Sequence, residues 1–231
     1  MMFETQQAYL LHSRPFKEHQ LIIDLLTQRD GKVSAVISSG HSLKANKRGI
    51  LQPFSLFSLQ LSGRHQLKKA SQLESCHQHR VLVGNSLYSG LYINELLVRL
   101  LPECVPCELL FEQYGQAIES LNKSDTIEPI LRTFEMQLLD ELGFSLNFTT
   151  VEESSHQYWQ FIAEQGFVEA NQGSQLPIYQ RSDLLNIAQA NYQAQSVLTT
   201  HKVLMRQMIN HLLGHKPLKS RELFMARDKK Q

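Results

Sequence analysis

Leu21-Ile22-Ile23-Asp24-Leu25-Leu26-Thr27-Gln28-Arg29-Asp30-Gly31-Lys32-Val33-Ser34-Ala35-Val36-Ile37 decides the fold of the first third of the chain. Its opening run is short, apolar and rich in β-branched residues, and Asp30-Gly31 is a strong hairpin-turn pair because both residues tolerate positive φ. After the turn, Val33, Ala35 and Ile37 recur at period two, the spacing of one strand face. Working outward, Phe57, Leu59 and Leu61 point one way while Ser58, Gln60 and Ser62 point the other. Gly63-Arg64 closes that strand and Gln66 to Gln72 returns. With an earlier strand beginning near Tyr9, about five strands and no helical period between them suit a small Greek-key barrel, whose closure also removes exposed sheet edges.

The formal net charge of +1 hides an uneven distribution. Residues 1–80 carry eleven Lys/Arg against five acids, residues 81–150 three against ten, and residues 151–231 nine against seven. A basic segment joined to an acidic one divides the labour, with a polyanion bound at one end and another task at the other. The loop Ser39 to Gly49 holds Lys44, Lys47 and Arg48, and Arg14, Lys17, Arg64, Lys68 and Lys69 fall on turns or solvent-facing strand positions of the same segment. Such cations bind phosphates by releasing counterions; the plainer reading is a solvated loop that is basic for solubility. Rings that stack bases are the other need of a strand-gripping surface. Tyr9, Phe16, Phe54 and Phe57 are available, Phe57 is expected in the core, and Phe16 in the turn after Pro15 is the best stacking candidate.

Beyond Val83 the period changes to that of helices. Leu87, Leu91, Leu97, Leu100 and Leu101 form one apolar face ending at Pro102, and a second helix follows Pro106. Asp125, three residues before Glu128, reads as a capping box, and that helix is expected to end at Gly143. Residues 147–180 are less regular, with a hairpin expected over Tyr158 to Val168. Ser182 opens a short helix and Ser196 to Leu213 a longer one ended by Gly214. The expected class is α+β: a barrel over 1–80, then a helical domain over 81–231.

No phosphate-binding glycine loop, nucleophile elbow or His-Glu-x-x-His occurs, so no catalytic constellation and no cofactor are expected. Cys104-Val105-Pro106-Cys107 lacks the second pair that a zinc finger needs, and Cys76, His77 and His79 sit on a different element. No metal site is expected, and a polar turn containing two thiols is the simpler reading. The three cysteines form no disulfide framework, no apolar run reaches the ~18 residues of a membrane span, and the first residues lack a secretory pattern. A cytoplasmic, nucleoid-associated protein without membrane contact is expected.

The order of several segments resembles the RecO family of recombinational repair mediators, in its enterobacterial type. The segments are Ala8-Tyr9-Leu10-Leu11-His12-Ser13-Arg14-Pro15-Phe16-Lys17-Glu18, Gly49-Ile50-Leu51-Gln52-Pro53-Phe54 and Ser89-Gly90-Leu91-Tyr92-Ile93-Asn94-Glu95-Leu96-Leu97. Leu131-Arg132-Thr133-Phe134-Glu135, with Leu138-Leu139 and Leu142-Gly143-Phe144, and Lys216-Pro217-Leu218-Lys219-Ser220-Arg221-Glu222-Leu223 complete the series. The resemblance implies an N-terminal OB-fold joined to helices, and binding of single- and double-stranded DNA. It further implies annealing of complementary strands without ATP, and action with RecR and the single-strand binding protein in loading RecA. The family's barrel cations correspond to Arg14, Lys17, Lys44, Lys47 and Arg48. Many relatives carry four zinc cysteines in the stretch where this chain, from Asn147 to Gln180, has none. The acidic C-terminal tail of the single-strand binding protein ends in an apolar aromatic residue and needs a greasy slot with a cationic rim. The expected slot draws on Arg132, Lys216, Lys219 and Arg221 with Leu138, Leu139, Leu212, Leu213 and Leu218; core packing is the competing role of each leucine. Two other readings stand beside this one, an OB-type protein adaptor with incidental basicity and a metal-dependent enzyme built on Cys104 and Cys107.

Overall fold

The structure, a computed structural model, describes residues 5–38, 51–76, 81–171 and 173–223. The chain forms two compact units, one of residues 1–125 with 218–231 and the other of residues 126–217.

In the first unit, strands β1 (Thr5–Phe16), β2 (Gln20–Thr27), β3 (Gly31–Ser38), β4 (Leu56–Ser62) and β5 (Lys68–Ser75) close a barrel in the order β1-β2-β3-β5-β4. The period-two residues fill it: Ala8, Leu10, Ile23, Leu25, Ala35, Ile37, Phe57, Leu59 and Ala70 make one buried cluster. Each buried aliphatic or aromatic side chain there contributes roughly 1.5–3 kcal/mol. The β2–β3 connection is the three-residue loop of residues 28–30, and of the expected turn pair only Gly31, the first residue of β3, is left-handed, at φ 65°. Gly31 is also required sterically, because a Cβ there would lie 1.8 Å from the Val105 carbonyl oxygen.

Two helices, α1 (Gly84–Leu100) and α2 (Glu108–Lys123), belong to the same unit as the barrel. The barrel strands themselves end at Ser75, before the boundary expected at residue 80, and the two helices beyond it pack within the same compact unit. The α1 helix stops at Leu101 because Pro102 cannot continue it. Gly90 lies where a Cβ would meet Leu82 and Phe54 at under 3 Å, so the helix approaches the barrel end closely. Tyr9 packs on Phe111 and Tyr114 of α2, with ring centroids 5.1 and 4.8 Å away.

The second unit holds helices α3 (Ile127–Glu141), α4 (Thr149–Glu153), α5 (Arg181–Ala188) and α6 (Gln195–Leu212). It also holds a three-stranded sheet in the order β7-β6-β8, from β6 (Tyr158–Ile162), β7 (Gly166–Glu169) and β8 (Tyr179–Gln180). The region expected to be helical with an irregular stretch thus contains a sheet, assembled around the expected hairpin. Trp159, Phe161 and Phe167 fill its buried face, with Phe148 against Phe167 at 4.9 Å. The N-cap position of α3 is Thr126 rather than Asp125, with no side-chain capping hydrogen bond, and Pro129 sits in its first turn, where no amide hydrogen bond is lost. At its other end Gly143 is left-handed, with Phe144 N–H donating to the Leu139 carbonyl and Gly143 N–H to that of Asp140, a Schellman motif. No helix among the described residues is long and apolar enough to cross a membrane.

Candidate nucleic-acid interface

The first strand is longer than the barrel needs. It pairs with β4 from Thr5 to Tyr9, but with β2 from Ala8 to Phe16, and a register shift separates Leu10 from His12. A bulge of this kind bends one strand away from its sheet. Past it, the end of β1 pairs with β2 alone, while β2 stays paired with β3, and this end of β1 with the turn after it forms an exposed arm carrying Arg14, Phe16 and Lys17. Carbonyls at the bend are satisfied from α1: the buried Asn94 side-chain amide donates to Leu11 O at 3.0 Å and Leu10 O at 3.4 Å. The Tyr114 hydroxyl of α2 donates in turn to Asn94 Oδ1 at 2.8 Å. Sequence reasoning assigned Asn94 no role, because the carbonyls it holds lie more than eighty positions away.

At the tip of the arm Lys17 is left-handed, φ 51°, and its ammonium lies 5.3 Å from the centre of the Phe16 ring. Phe16 is half-buried, whereas Tyr9, Phe54 and Phe57 are buried and offer no platform. Of the four rings considered, only Phe16 retains an accessible surface.

Register brings one of the remaining cations, Lys69, into line with Arg14. Arg14 stands opposite Ile22, Ile22 opposite Val36, and Val36 opposite Lys69. Paired residues share a sheet face, and since Ile23, Ala35 and Ala70 point into the core, this row points outward. It crosses four of the five strands of the closed barrel, a path of about 14 Å along the curved surface at ~4.8 Å per strand step. Between Arg14 and Lys69, the half-buried Ile22 and Val36 provide an apolar strip. The adjoining row holds His12, Asp24 and Ser34. There the Ser34 hydroxyl donates to Asp24 Oδ1 at 2.6 Å, and His12 Nδ1 lies 3.6 Å from Oδ2, so the carboxylate is occupied within the protein.

Arg64 is exposed in the β4–β5 turn, beside Gly63 at φ 107°. Lys68 differs from its neighbour Lys69: it pairs with the inward-facing Ala35, and its ammonium donates back to Gly63 O at 3.2 Å. Lys44, Lys47 and Arg48 lie outside the described residues.

The residues expected to form a partner-tail slot are divided between the units. Lys219, Arg221 and Leu218 belong to the barrel unit; Arg132, Leu138, Leu139, Leu212, Leu213 and Lys216 belong to the other. Within that second unit Arg132 is 6% exposed, and its guanidinium donates to Glu135 Oε1 at 2.6 Å. Leu138, Leu139 and Leu213 are buried, Leu212 is half-buried, and Lys216 is exposed. Near Arg132 lies His201, fully buried and stacked on Tyr192 at 5.5 Å. Burial first, and then the Arg132 charge, lower its pKa to about 3, so the ring is neutral.

Cys104 is exposed and Cys107 buried, both as free thiols. Among the described residues no group of three or more His, Cys, Asp or Glu stands together to hold a metal ion.

The architecture is that of an OB-type barrel followed by helices, with cations on the two hairpins that flank the second and third strands. In barrels of this class that face and those loops bind oligonucleotides. The family model described as recombination protein O N terminal matches residues 1–79, and that described as recombination protein O C terminal matches 83–157. The chain is 38% identical over 230 residues to the DNA repair protein RecO of Cellvibrio japonicus, covering 97% of this chain and 98% of that protein. For the DNA repair protein RecO of Psychromonas ingrahamii the identity is 38% over 235 residues, covering 98% and 100%. The Coxiella burnetii DNA repair protein RecO is 36% identical over 223 residues, covering 94% and 96%. The chain belongs to the RecO family.

Proposed function

We propose that the chain is a DNA repair and recombination mediator that holds single- and double-stranded DNA on the outward face of its barrel. It anneals complementary strands without ATP and acts with RecR and the single-strand binding protein to load RecA. The observation that carries this reading is the row Arg14–Ile22–Val36–Lys69, in which two cations flank an apolar strip. Such a surface binds two backbones by counterion release while leaving their bases to find one another, so pairing needs no nucleotide hydrolysis. The role is non-enzymatic, in a cytoplasmic, nucleoid-associated protein.

For the acidic tail of the single-strand binding protein we propose the second unit, around Leu212 and Lys216. RecR docking is part of the same proposal and is assigned no surface.

The test is annealing of complementary oligonucleotides without ATP, over a range of salt. Wild-type protein should anneal, with strong inhibition as salt rises. Charge reversal at Lys44, Lys47 and Arg48, or at Arg14 and Lys69, should slow annealing and flatten the salt dependence. If single strands show no measurable binding at ~150 mM salt, the DNA reading fails and a protein adaptor takes its place.

A further inference from the structure

Along β2 the outward face of the barrel changes character row by row. Tyr9 stands opposite Leu26, and Leu26 opposite Lys32. That row is covered, since Leu26 is fully buried and Tyr9 packs on Phe111 and Tyr114 of α2. Next come the row of His12, Asp24 and Ser34 and the cationic row from Arg14 to Lys69. The last row places Phe16 opposite Gln20 and Gln20 opposite Ser38. Here Phe16 and Gln20 are half-buried and Ser38 is exposed. Successive rows lie two residues apart along a strand, or roughly 7 Å. The α2 helix therefore closes one end of this face, and the end that carries Phe16 and Gln20 is open.

The two rows that flank the cations are chemically unlike. On the side of α2 stands the Asp24 carboxylate, engaged by Ser34 and beside His12. A polyanion is turned away there by charge and by the helix beyond. On the other side stand a ring, an amide and a hydroxyl, all uncharged. A backbone held between Arg14 and Lys69 therefore directs its bases toward Phe16 and Gln20, one row away. Bases of any sequence stack on such a ring. Directly opposed residues on one face have Cβ atoms about 4.5–5.5 Å apart, so the Gln20 amide stands at the edge of a base lying on Phe16. That amide offers a donor and an acceptor side by side. The Watson–Crick edge of every unpaired base presents a matching acceptor and donor, and reversing the amide suits either order. In a duplex the same edge is taken by the partner base.

We propose that Phe16 and Gln20 form a base-binding subsite that selects unpaired over paired DNA, the ring by stacking and the amide by bonding the Watson–Crick edge. The assignment rests on the DNA-binding reading of the barrel and adds Gln20 to it. A complementary base competes for the same edge and displaces the amide, so the hold yields as two strands pair. Arg14 and Lys69, which meet only phosphate, serve both forms of DNA.

The experiment measures fluorescence anisotropy with the full-length chain and three labelled probes of one length: oligo(dT), oligo(dT) methylated at N3 of every base, and a dA·dT duplex. Methylation removes the N3–H donor while leaving the backbone and the stacking face. Gln20→Ala should weaken oligo(dT) binding about fivefold, the range of one neutral hydrogen bond, and leave duplex affinity unchanged. Phe16→Ala should weaken oligo(dT) binding about tenfold or more and likewise spare the duplex. Wild-type protein should bind the methylated strand about fivefold more weakly than oligo(dT), and Gln20→Ala should bind the two equally. A variant carrying R14Q and K69Q should lose affinity for single strand and duplex together. A Gln20→Ala protein that loses duplex affinity as much as single-strand affinity overturns the proposal. So does wild-type protein that does not distinguish the methylated strand from oligo(dT), a result independent of how any variant folds. If wild-type protein binds neither oligo(dT) nor duplex, the DNA reading of the barrel falls, and the subsite with it.

Discussion

Asn94 makes the arm possible. Its amide supplies donors to two carbonyls at the bend, and its oxygen accepts the Tyr114 hydroxyl, all within a buried site. Each buried polar group left without a partner costs about 1–3 kcal/mol. Asn94→Ala should therefore destabilise the protein by about 2–4 kcal/mol in urea denaturation, and Tyr114→Phe by about 1 kcal/mol. A loss below ~0.5 kcal/mol for Asn94→Ala would show that the bend holds itself. His201 gives a second prediction at this scale. Its folded pKa, lowered to about 3, lies below that of an unfolded histidine. The unfolded chain therefore takes up a proton first, and stability falls as pH drops from the ordinary histidine range toward 3. Facing groups are Arg132, which disfavours the charged ring, and Glu135 and Tyr192 beside it. Between pH 7 and pH 5 the loss should be about 2 kcal/mol, and His201→Phe should remove most of that slope in urea titrations at the two pH values. An unchanged slope in the variant would place the acid sensitivity elsewhere. Glu95 and Glu128 carry lowered carboxyl pKa values, so their stabilisation is lost only at lower pH, as each carboxyl protonates.

At the scale of elements, the tight joint is the β2–β3 loop against the segment that follows α1. The Cys104 amide donates to Lys32 O at 2.8 Å, and the Lys32 ammonium donates to Val98 O at 3.0 Å. Gly31 lies at the centre of this joint with no space for a side chain. Gly31→Ala meets both a left-handed backbone and the Val105 carbonyl, and should cost about 2–5 kcal/mol from strain and overpacking together. Gly63→Ala, where the nearest atom would be 4.0 Å away, should cost about 1–2 kcal/mol from backbone strain alone. Equal losses for the two in denaturant melts would mean that packing against Val105 contributes nothing.

Elements were legible in the sequence to the extent that their causes are local. Period-two spacing of Val33, Ala35 and Ile37, the left-handed Gly143 and Gly214, and the hairpin turning at Gly166 all act within a few residues. The row that unites Arg14 with Lys69 depends on register between strands distant in sequence, which composition does not encode. Arg132 reads as a surface cation because nothing local shows which side of α3 is covered; its pair with Glu135 lies inside the unit. Residues 158–180 lack a long apolar pattern because β8 has two residues and borrows its pairing from β6.

At the scale of the whole molecule, the chain leaves the barrel unit after Asp125 and re-enters it at Leu218. That return moves Lys219 and Arg221 from the set expected around an acidic peptide to the unit that carries the basic barrel. It also explains why the segment sums of charge mislead, since cations distant in sequence join those of residues 1–80. Central to the account is the claim that DNA backbone is held across the outward face between Arg14 and Lys69. The most direct measurement is the salt dependence of single-strand affinity for wild-type protein and for a variant carrying R14Q and K69Q. Two lost phosphate contacts should make log K against log salt shallower by about 1.4, with the melting temperature unchanged. A folded variant with the wild-type slope would contradict the claim and move DNA to another surface.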